Sequence, residues 1–192
     1  MNFRLVERHA RRIREFDHWK HRKYVADVPF ASPSEAIARF MASEQFHDWL
    51  SGPEPETPEA AAAHEKRLEG QRLQFEEGRA QKPHLYAAEV HETPPVHGPL
   101  LISQLSESSY REVSGVEATR LFRDHLMAQG LFEQPAELAP LIDELAQGHT
   151  LFWLVKDPED PDLRLSYHMF DHFAELLAIG EQVIHLVMVA RD

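Results

Sequence analysis

The chain has 192 residues, of which 43% are hydrophobic and 27% charged, a composition typical of a folded globular protein. It contains no cysteine, so disulfides, thiolate nucleophiles and cysteine-ligated metal sites are excluded. Its apolar runs are far shorter than the roughly 20 residues that cross a bilayer, and its N-terminus lacks the apolar core of a secretion signal. We therefore expect one domain over residues 1–192, without membrane contact and located in the cytoplasm.

The net charge of −12 is unevenly distributed along the chain. Residues 1–24 contain eight arginine and lysine residues against three acidic ones, whereas the remainder is strongly acidic. Apolar residues recur in this basic segment at helical spacing, at Val6, Ala10, Ile13 and Phe16. The pattern predicts an amphipathic N-terminal helix that carries its basic residues on the outer face.

Further helices are predicted up to residue 82. Ser32 and Glu35 form a capping-box pattern with a proline at the first helical position, and the Gly-Pro pair at 52–53 predicts the end of that helix. Residues 52–58 contain three prolines and indicate an extended connector. A long polar helix is expected from residue 58 to about residue 80.

Beyond residue 83 the patterns change to those of a sheet with flanking helices. Two helices are predicted, one from the capping box of Ser114 and Glu117 to Gly130, and one over 140–147. Short apolar or alternating runs predict strands at 85–90, 100–105, 150–156, 163–169 and 183–190, the last of them central and buried. Residues 173–179 are ambiguous, and their leucine and alanine content slightly favours a helix.

These elements together predict the fold class α+β. A helical N-terminal part at 1–82 is followed, at 83–192, by a mainly antiparallel sheet with flanking helices.

Thirteen histidines are the most unusual feature of the composition. His168, Asp171 and His172 form the best local cluster, because on one helix two histidines four residues apart share a face and suit zinc or iron. The alternation of apolar and polar residues up to residue 169 instead favours a strand that ends near His168, followed by a helix capped by Asp171. In the basic segment neighbouring arginines oppose metal binding by His9, His18 and His21. His185, among valines, is expected to be buried and hydrogen-bonded.

No motif indicates a particular reaction. A glycine-rich phosphate loop and a nucleophile elbow are both absent from the sequence, so enzyme status stays uncertain and leans against catalysis. The function expected by elimination is that of a protein-interaction protein, such as an accessory subunit, an immunity-type or antitoxin-like inhibitor, or a chaperone. Its partner, another protein, is expected to contact Arg8, Arg12, Trp19, Arg72 and Phe75.

Two alternatives remain open at this stage. One is a metal-dependent enzyme that uses histidine and carboxylate ligands, with zinc or iron as the cofactor; the main interpretation requires no cofactor. The other is a nucleic-acid-binding regulator, in which the N-terminal arginines contact phosphates while Trp19 and Tyr24 stack on bases. The partner's identity and the oligomeric state cannot be read from the sequence.

Overall fold

The computed structural model describes residues 2–13, 17–47, 96–97, 100–102, 105–131, 134–155 and 173–191. All of them belong to the unit formed by Met1–Leu50 and Pro95–Asp192. Within these stretches no helix is long and apolar enough to cross a membrane.

Eight strands are described. Their bounds are β1 Phe3–Arg12, β2 Asp17–Ala26, β3 Val96–His97, β4 Leu100–Leu101, β5 Tyr110–Val113, β6 Thr150–Leu154, β7 Phe173–Ile179 and β8 Val183–Arg191. Six of them form one antiparallel sheet in the order β1-β2-β8-β7-β6-β5, and β3 pairs with β4. The chain therefore builds a meander from β5 to β8, and the β1–β2 hairpin is added beside β8, its last strand.

The helices of the described residues are α1 Pro33–Met41, α2 Glu44–His47, α3 Gly115–Ala128 and α4 Leu138–Gly148, with a 3₁₀ turn at Glu107–Ser109. Two predicted helix starts are confirmed, because the hydroxyls of Ser32 and Ser114 each accept a hydrogen bond from the backbone N–H three residues later, at 3.2 Å. Gly130 ends the α3 segment in the left-handed region, at φ 70°. α1 ends at Met41, well before the predicted stop at residue 52.

The sheet is covered on both faces. On the first, here called the α1 face, Phe40 and Phe46 from the first two helices pack with Tyr24, Leu177 and Leu186. On the opposite face, called the α3 face, the cores of α3 and α4 pack on the sheet residues Trp19, Leu151, Leu176, Val187 and Val189. Neighbouring residues of β7 and β8 therefore enter different cores, which explains why both strands are buried along most of their length.

The predicted helical N-terminal part is wrong, because the chain begins with a strand. β1 and β2 form an antiparallel hairpin, and β2 pairs along its whole length with β8. A bulge between Leu5 and Glu7 shifts the register of the hairpin. Such a shift breaks the two-residue alternation that identifies a strand, and the remaining apolar spacing imitates a helix.

The helix favoured for residues 173–179 is also wrong, since this segment is the buried strand β7. Leucine and alanine favour a helix locally. In the sheet, however, this strand pairs with two neighbours and is covered on both faces, and the free energy gained by that burial exceeds the cost of the unfavourable strand propensity. The strands predicted at 150–156 and 183–190 and the helix at 140–147 are confirmed within a few residues. The segments predicted at 52–58, 58–80, 85–90 and 163–169 lie outside the described residues.

Candidate functional site

Four histidines form a continuous row across the α3 face. His9 of β1 is the register partner of His21 on β2, and their ring centroids lie 5.9 Å apart. His21 stacks on His185 of β8 with centroids 5.2 Å apart, and His149, which follows α4, contacts the edge of His185 at 4.8 Å. Strand pairing thus brings residues distant in sequence into one cluster, which runs from the exposed His9 through the buried His21 and His185 to the half-buried His149.

The centre of the row is a hydrogen bond between two imidazoles. His21 Nε2 and His185 Nδ1 lie 2.9 Å apart, so one ring nitrogen donates a proton and the other accepts it. Burial, the largest cause in each case, lowers the pKa of His21 to about 4 and that of His185 to about 3. Both rings are therefore neutral near pH 7, and the ring that donates this hydrogen bond keeps its other nitrogen unprotonated.

The inner end of the row is held by its backbone surroundings. His149 Nδ1 donates to the carbonyl of Leu145 at 3.1 Å, since that oxygen can only accept. A Cβ at Gly180 would lie 3.0 Å from Cδ2 of His149, so glycine is needed here for the ring to approach the chain closely. These contacts fix the ring that packs against His185.

The outer end of the row includes a carboxylate. Glu7 and His9 are two residues apart on β1, and Glu7 Oε1 lies 2.9 Å from His9 Nε2. The hydrogen bond from His9 is the largest cause that lowers the pKa of Glu7. Ligand atoms of Glu7, His9 and His21 all lie within 4.8 Å of one another. One carboxylate and two imidazoles therefore converge at the surface of the hairpin.

The same hairpin carries basic side chains on its other face. Lys20, Arg22 and His18 pair in register with residues of the α1-face core, and each is at most 7% exposed. Arg22 donates to the hydroxyl of Tyr24 at 3.4 Å. On the α3 side, Arg11 forms an ion pair with Glu137, which precedes α4. The two faces of the hairpin thus differ, with His9 and His21 on the α3 side and the buried His18, Lys20 and Arg22 on the other.

A second polar cluster lies inside the α1-face core. His97 Nδ1 donates to the carbonyl of Phe46 at 2.8 Å, and its Nε2 forms an ion pair with Glu175 of β7. Tyr110 donates its hydroxyl to the other oxygen of Glu175 at 2.5 Å, and the Phe46 ring stacks on His97 at 3.6 Å. Burial, then the charge of Glu175, raises the pKa of Tyr110 well above its usual value. With His97 and Glu175 fully buried, this cluster supports the core rather than a substrate.

The predicted partner-binding residues fall in different environments. Arg8 is exposed on β1, and Arg12 is the last residue of the same strand. Trp19 is 6% exposed and packs in the α3-face core, so it lies inside the protein. Arg72 and Phe75 lie outside the described residues. The structure therefore brings two of the five residues together on one strand.

The predicted metal ligands His168, Asp171 and His172 also lie outside the described residues. Sequence reasoning missed the convergence of His9 with His21, because it placed both on a helix. A hairpin interpretation would have found it, since the two histidines lie equally far from residue 15. The expectation that His185 is buried and hydrogen-bonded is confirmed.

Comparison with known proteins gives no functional lead for this chain. No protein-family model, no curated protein and no solved structure matches it. The function is therefore argued from the residues of the hairpin itself.

Proposed function

We propose that this chain is a protein-interaction protein, which binds an acidic extended segment of another protein along strand β1. The observation that carries the proposal is the position of β1, a ten-residue strand at the edge of the sheet formed by the described residues. An edge strand offers unpaired backbone N–H and C=O groups, which another extended chain can pair with. Strand addition of this kind is one of the recurring ways in which proteins bind extended segments of their partners.

Exposure along β1 supports this surface. Residues 4–11 are all exposed, including the apolar side chains of Leu5 and Val6 at 37% and 41%. Apolar groups at an edge lose contact with water when a partner strand covers them, which adds to the backbone hydrogen bonds. The strand therefore combines an edge position in the sheet of the described residues with side chains that a partner can bury.

Charge favours a partner that is acidic rather than a second copy of this chain. β1 carries Arg4, Arg8, Arg11 and Arg12 against the single acidic residue Glu7. Pairing of two such strands would bring arginines together across the new ladder, and like charges opposite each other are destabilising. An acidic strand would be attracted by the same charges, which also raise the rate of association.

The nucleic-acid alternative receives less support. Trp19 and Tyr24, the aromatic residues expected to stack on bases, are 6% and 2% exposed and belong to the two cores. A basic strand without exposed aromatic side chains would contact phosphates alone. The metal-dependent enzyme centred on residues 168–172 stays a prediction, as does the cytoplasmic location.

The test is native mass spectrometry of the tagged protein purified gently from its source cells. We expect a stoichiometric acidic polypeptide with the wild type, and at least a tenfold lower yield of it with an Arg4→Glu/Arg8→Glu variant, about 1.4 kcal/mol in binding free energy. Reversed charges should repel the acidic segment, and added salt should weaken the wild-type complex.

A matched control makes the same change on another element. Arg120 and Arg123 on α3 have side chains 54% and 56% exposed, and their double reversal to glutamate should leave the yield of partner unchanged. Circular dichroism should show that both variants keep the wild-type fold. A partner retained by the Arg4/Arg8 variant would contradict the assignment of β1, and a nuclease-sensitive copurifying species would favour the nucleic-acid alternative.

A further inference from the structure

We infer that Glu7, His9 and His21 form a binding site for a divalent transition metal ion of the zinc class. The three side chains come from two paired strands, and their ligand atoms lie within 4.8 Å of one another. This inference is independent of the proposed protein partner. It assigns to the hairpin a second property, which depends on side chains rather than on the unpaired edge of β1.

The distances fit a site that closes on the ion. Zinc holds nitrogen and oxygen ligands at about 2.0–2.2 Å, so the ligand atoms of a tetrahedral site lie about 3.3–3.6 Å from one another. His21 is buried and held by its neighbours, whereas the side chains of Glu7 and His9 are 46% and 59% exposed and can rotate. One fixed ligand and two adjustable ligands can therefore reach this geometry without movement of the backbone.

The ligand chemistry selects the class of metal. Two imidazoles and one carboxylate suit zinc, and also iron and manganese, better than calcium or magnesium, which prefer oxygen ligands alone. The pKa of Glu7 is lowered by its hydrogen bond with His9, so its carboxylate is ionised near pH 7. Three protein ligands leave at least one coordination position for water or another molecule.

Behind the ligands lies a layer that orients them. His21 Nε2 contacts His185 Nδ1 at 2.9 Å, and His149 packs on His185. Metal-binding histidines commonly use their second ring nitrogen in such a hydrogen bond, which fixes the tautomer and the plane of the ring. A surface pair of glutamate and histidine needs no such support, so the buried pair is a second observation that points to a ligand.

Lys23 opposes a cation here, together with the arginines of β1. It is the register partner of Glu7 on β2, and its charge contributes to lowering the pKa of both His21 and His185. Lys23 is half-buried, so water and salt still screen part of its charge, and we expect it to weaken the site rather than abolish it. Removal of the Lys23 charge should therefore improve metal binding, which supplies a further variant for the experiment.

The test is isothermal titration calorimetry of the metal-free protein with zinc chloride. Glu7→Gln and His9→Gln should each weaken the tightest site by at least about tenfold. Lys23→Gln should tighten the same site severalfold. Glu112→Gln, which changes an exposed glutamate on β5 at the opposite edge of the sheet, should leave zinc binding unchanged.

Cobalt(II) provides a second readout that does not depend on the heat of binding. The wild type should give the visible absorption bands of a tetrahedral cobalt site, and His9→Gln should lose them. Glu7 and His9 are exposed, so both substitutions should preserve the fold, which circular dichroism can verify. Absence of zinc uptake, or uptake equally strong in Glu7→Gln, His9→Gln and the wild type, would overturn the inference.

Discussion

Glu175 places a carboxylate in the middle of a strand that is buried along its whole length. Its two oxygens are used by Tyr110 and His97, and His97 in turn uses its other nitrogen on the carbonyl of Phe46. A buried charge is tolerated only with partners of this kind, because an unpaired one costs several kcal/mol. The network therefore links β7 to β5, α2 and the β3–β4 pair through one residue.

Replacement of Glu175 should separate polar pairing from packing. We expect Glu175→Leu to lower the free energy of unfolding by about 3–5 kcal/mol, because it leaves His97 and Tyr110 without their partner. Glu175→Gln should cost about 1 kcal/mol, since its amide can donate to His97 Nε2 and accept from Tyr110. Urea unfolding followed by circular dichroism measures both. A leucine variant as stable as the wild type would show that the network contributes no net stability.

The row of histidines predicts a stability that falls in mild acid. In the unfolded chain His21 and His185 titrate near pH 6.5, whereas in the metal-free folded state their pKa values are about 4 and about 3. Between pH 6.5 and these native pKa values the unfolded state binds more protons than the folded state. The free energy of unfolding is therefore highest above pH 6.5 and decreases as the pH falls toward the native pKa values. His185→Gln should remove about one proton from the uptake on unfolding at pH 5.

This linkage can be measured by urea unfolding at a series of pH values between 7 and the acid limit of the native state. Glutamine at 185 can still accept a hydrogen bond from His21 but does not titrate. An unchanged pH profile in this variant would mean that His185 is already protonated in the folded protein.

At the scale of the elements, one glycine determines how closely α3 and α4 pack. Gly115 begins α3, and a Cβ at this position would lie 2.9 Å from the Cβ of Ala146 on α4. Carbon atoms do not approach so closely, so a side chain here would push the two helices apart. The close approach of α3 and α4 therefore depends on the missing side chain.

The pair Gly115 and Ala146 gives a double-mutant cycle. Gly115→Ala should lower the free energy of unfolding by about 1–3 kcal/mol through the clash, even though alanine is the better helix former. Ala146→Gly should cost about 1 kcal/mol alone, but it removes the clash in the double variant. We expect the double variant to be more stable than the sum of the two effects predicts. Strict additivity in chemical denaturation would show that the helices simply move apart.

The elements differ in how well local patterns predicted them. Ser32 and Ser114 cap helices that begin where the sequence indicated, because a cap is a contact within four residues of the chain. β7 was predicted wrongly, since its leucines are compatible with either structure until two neighbouring strands and two helical layers surround them. The β1 bulge had the same effect on the N-terminal strand.

At the scale of the molecule, the sheet joins its two cores. Leu176 and Leu177 are neighbours on β7, yet one packs in the α3-face core and the other in the α1-face core. Trp19 and Trp153 report on the α3 face, because both belong to or pack against that core. If the two cores unfold together, the fluorescence of these tryptophans should also report a substitution in the α1-face core.

We expect the two cores to unfold together. In a Trp49→Phe background, which leaves Trp19 and Trp153 as the tryptophans, Leu177→Ala should destabilise the protein by about 2–5 kcal/mol and shift the fluorescence transition in urea, although Leu177 lies on the face opposite both. Leu176→Ala is the matched variant on the same face as these tryptophans and should shift it similarly. A fluorescence transition that moves only with Leu176→Ala would indicate that the two faces unfold separately.

The sequence by itself determined what local chemistry decides: the absence of cysteine chemistry, the capped starts of α1 and α3, the end of α3 just before Gly130, and the valine-rich strand β8. Only the tertiary structure decided that the basic N-terminus is a hairpin, that it pairs with β8, and that His9, His21 and His185 meet. Caps and glycine stops depend on neighbours in the chain. Strand pairing depends on partners up to 174 positions away, such as Asp17 and Arg191, which no local pattern specifies.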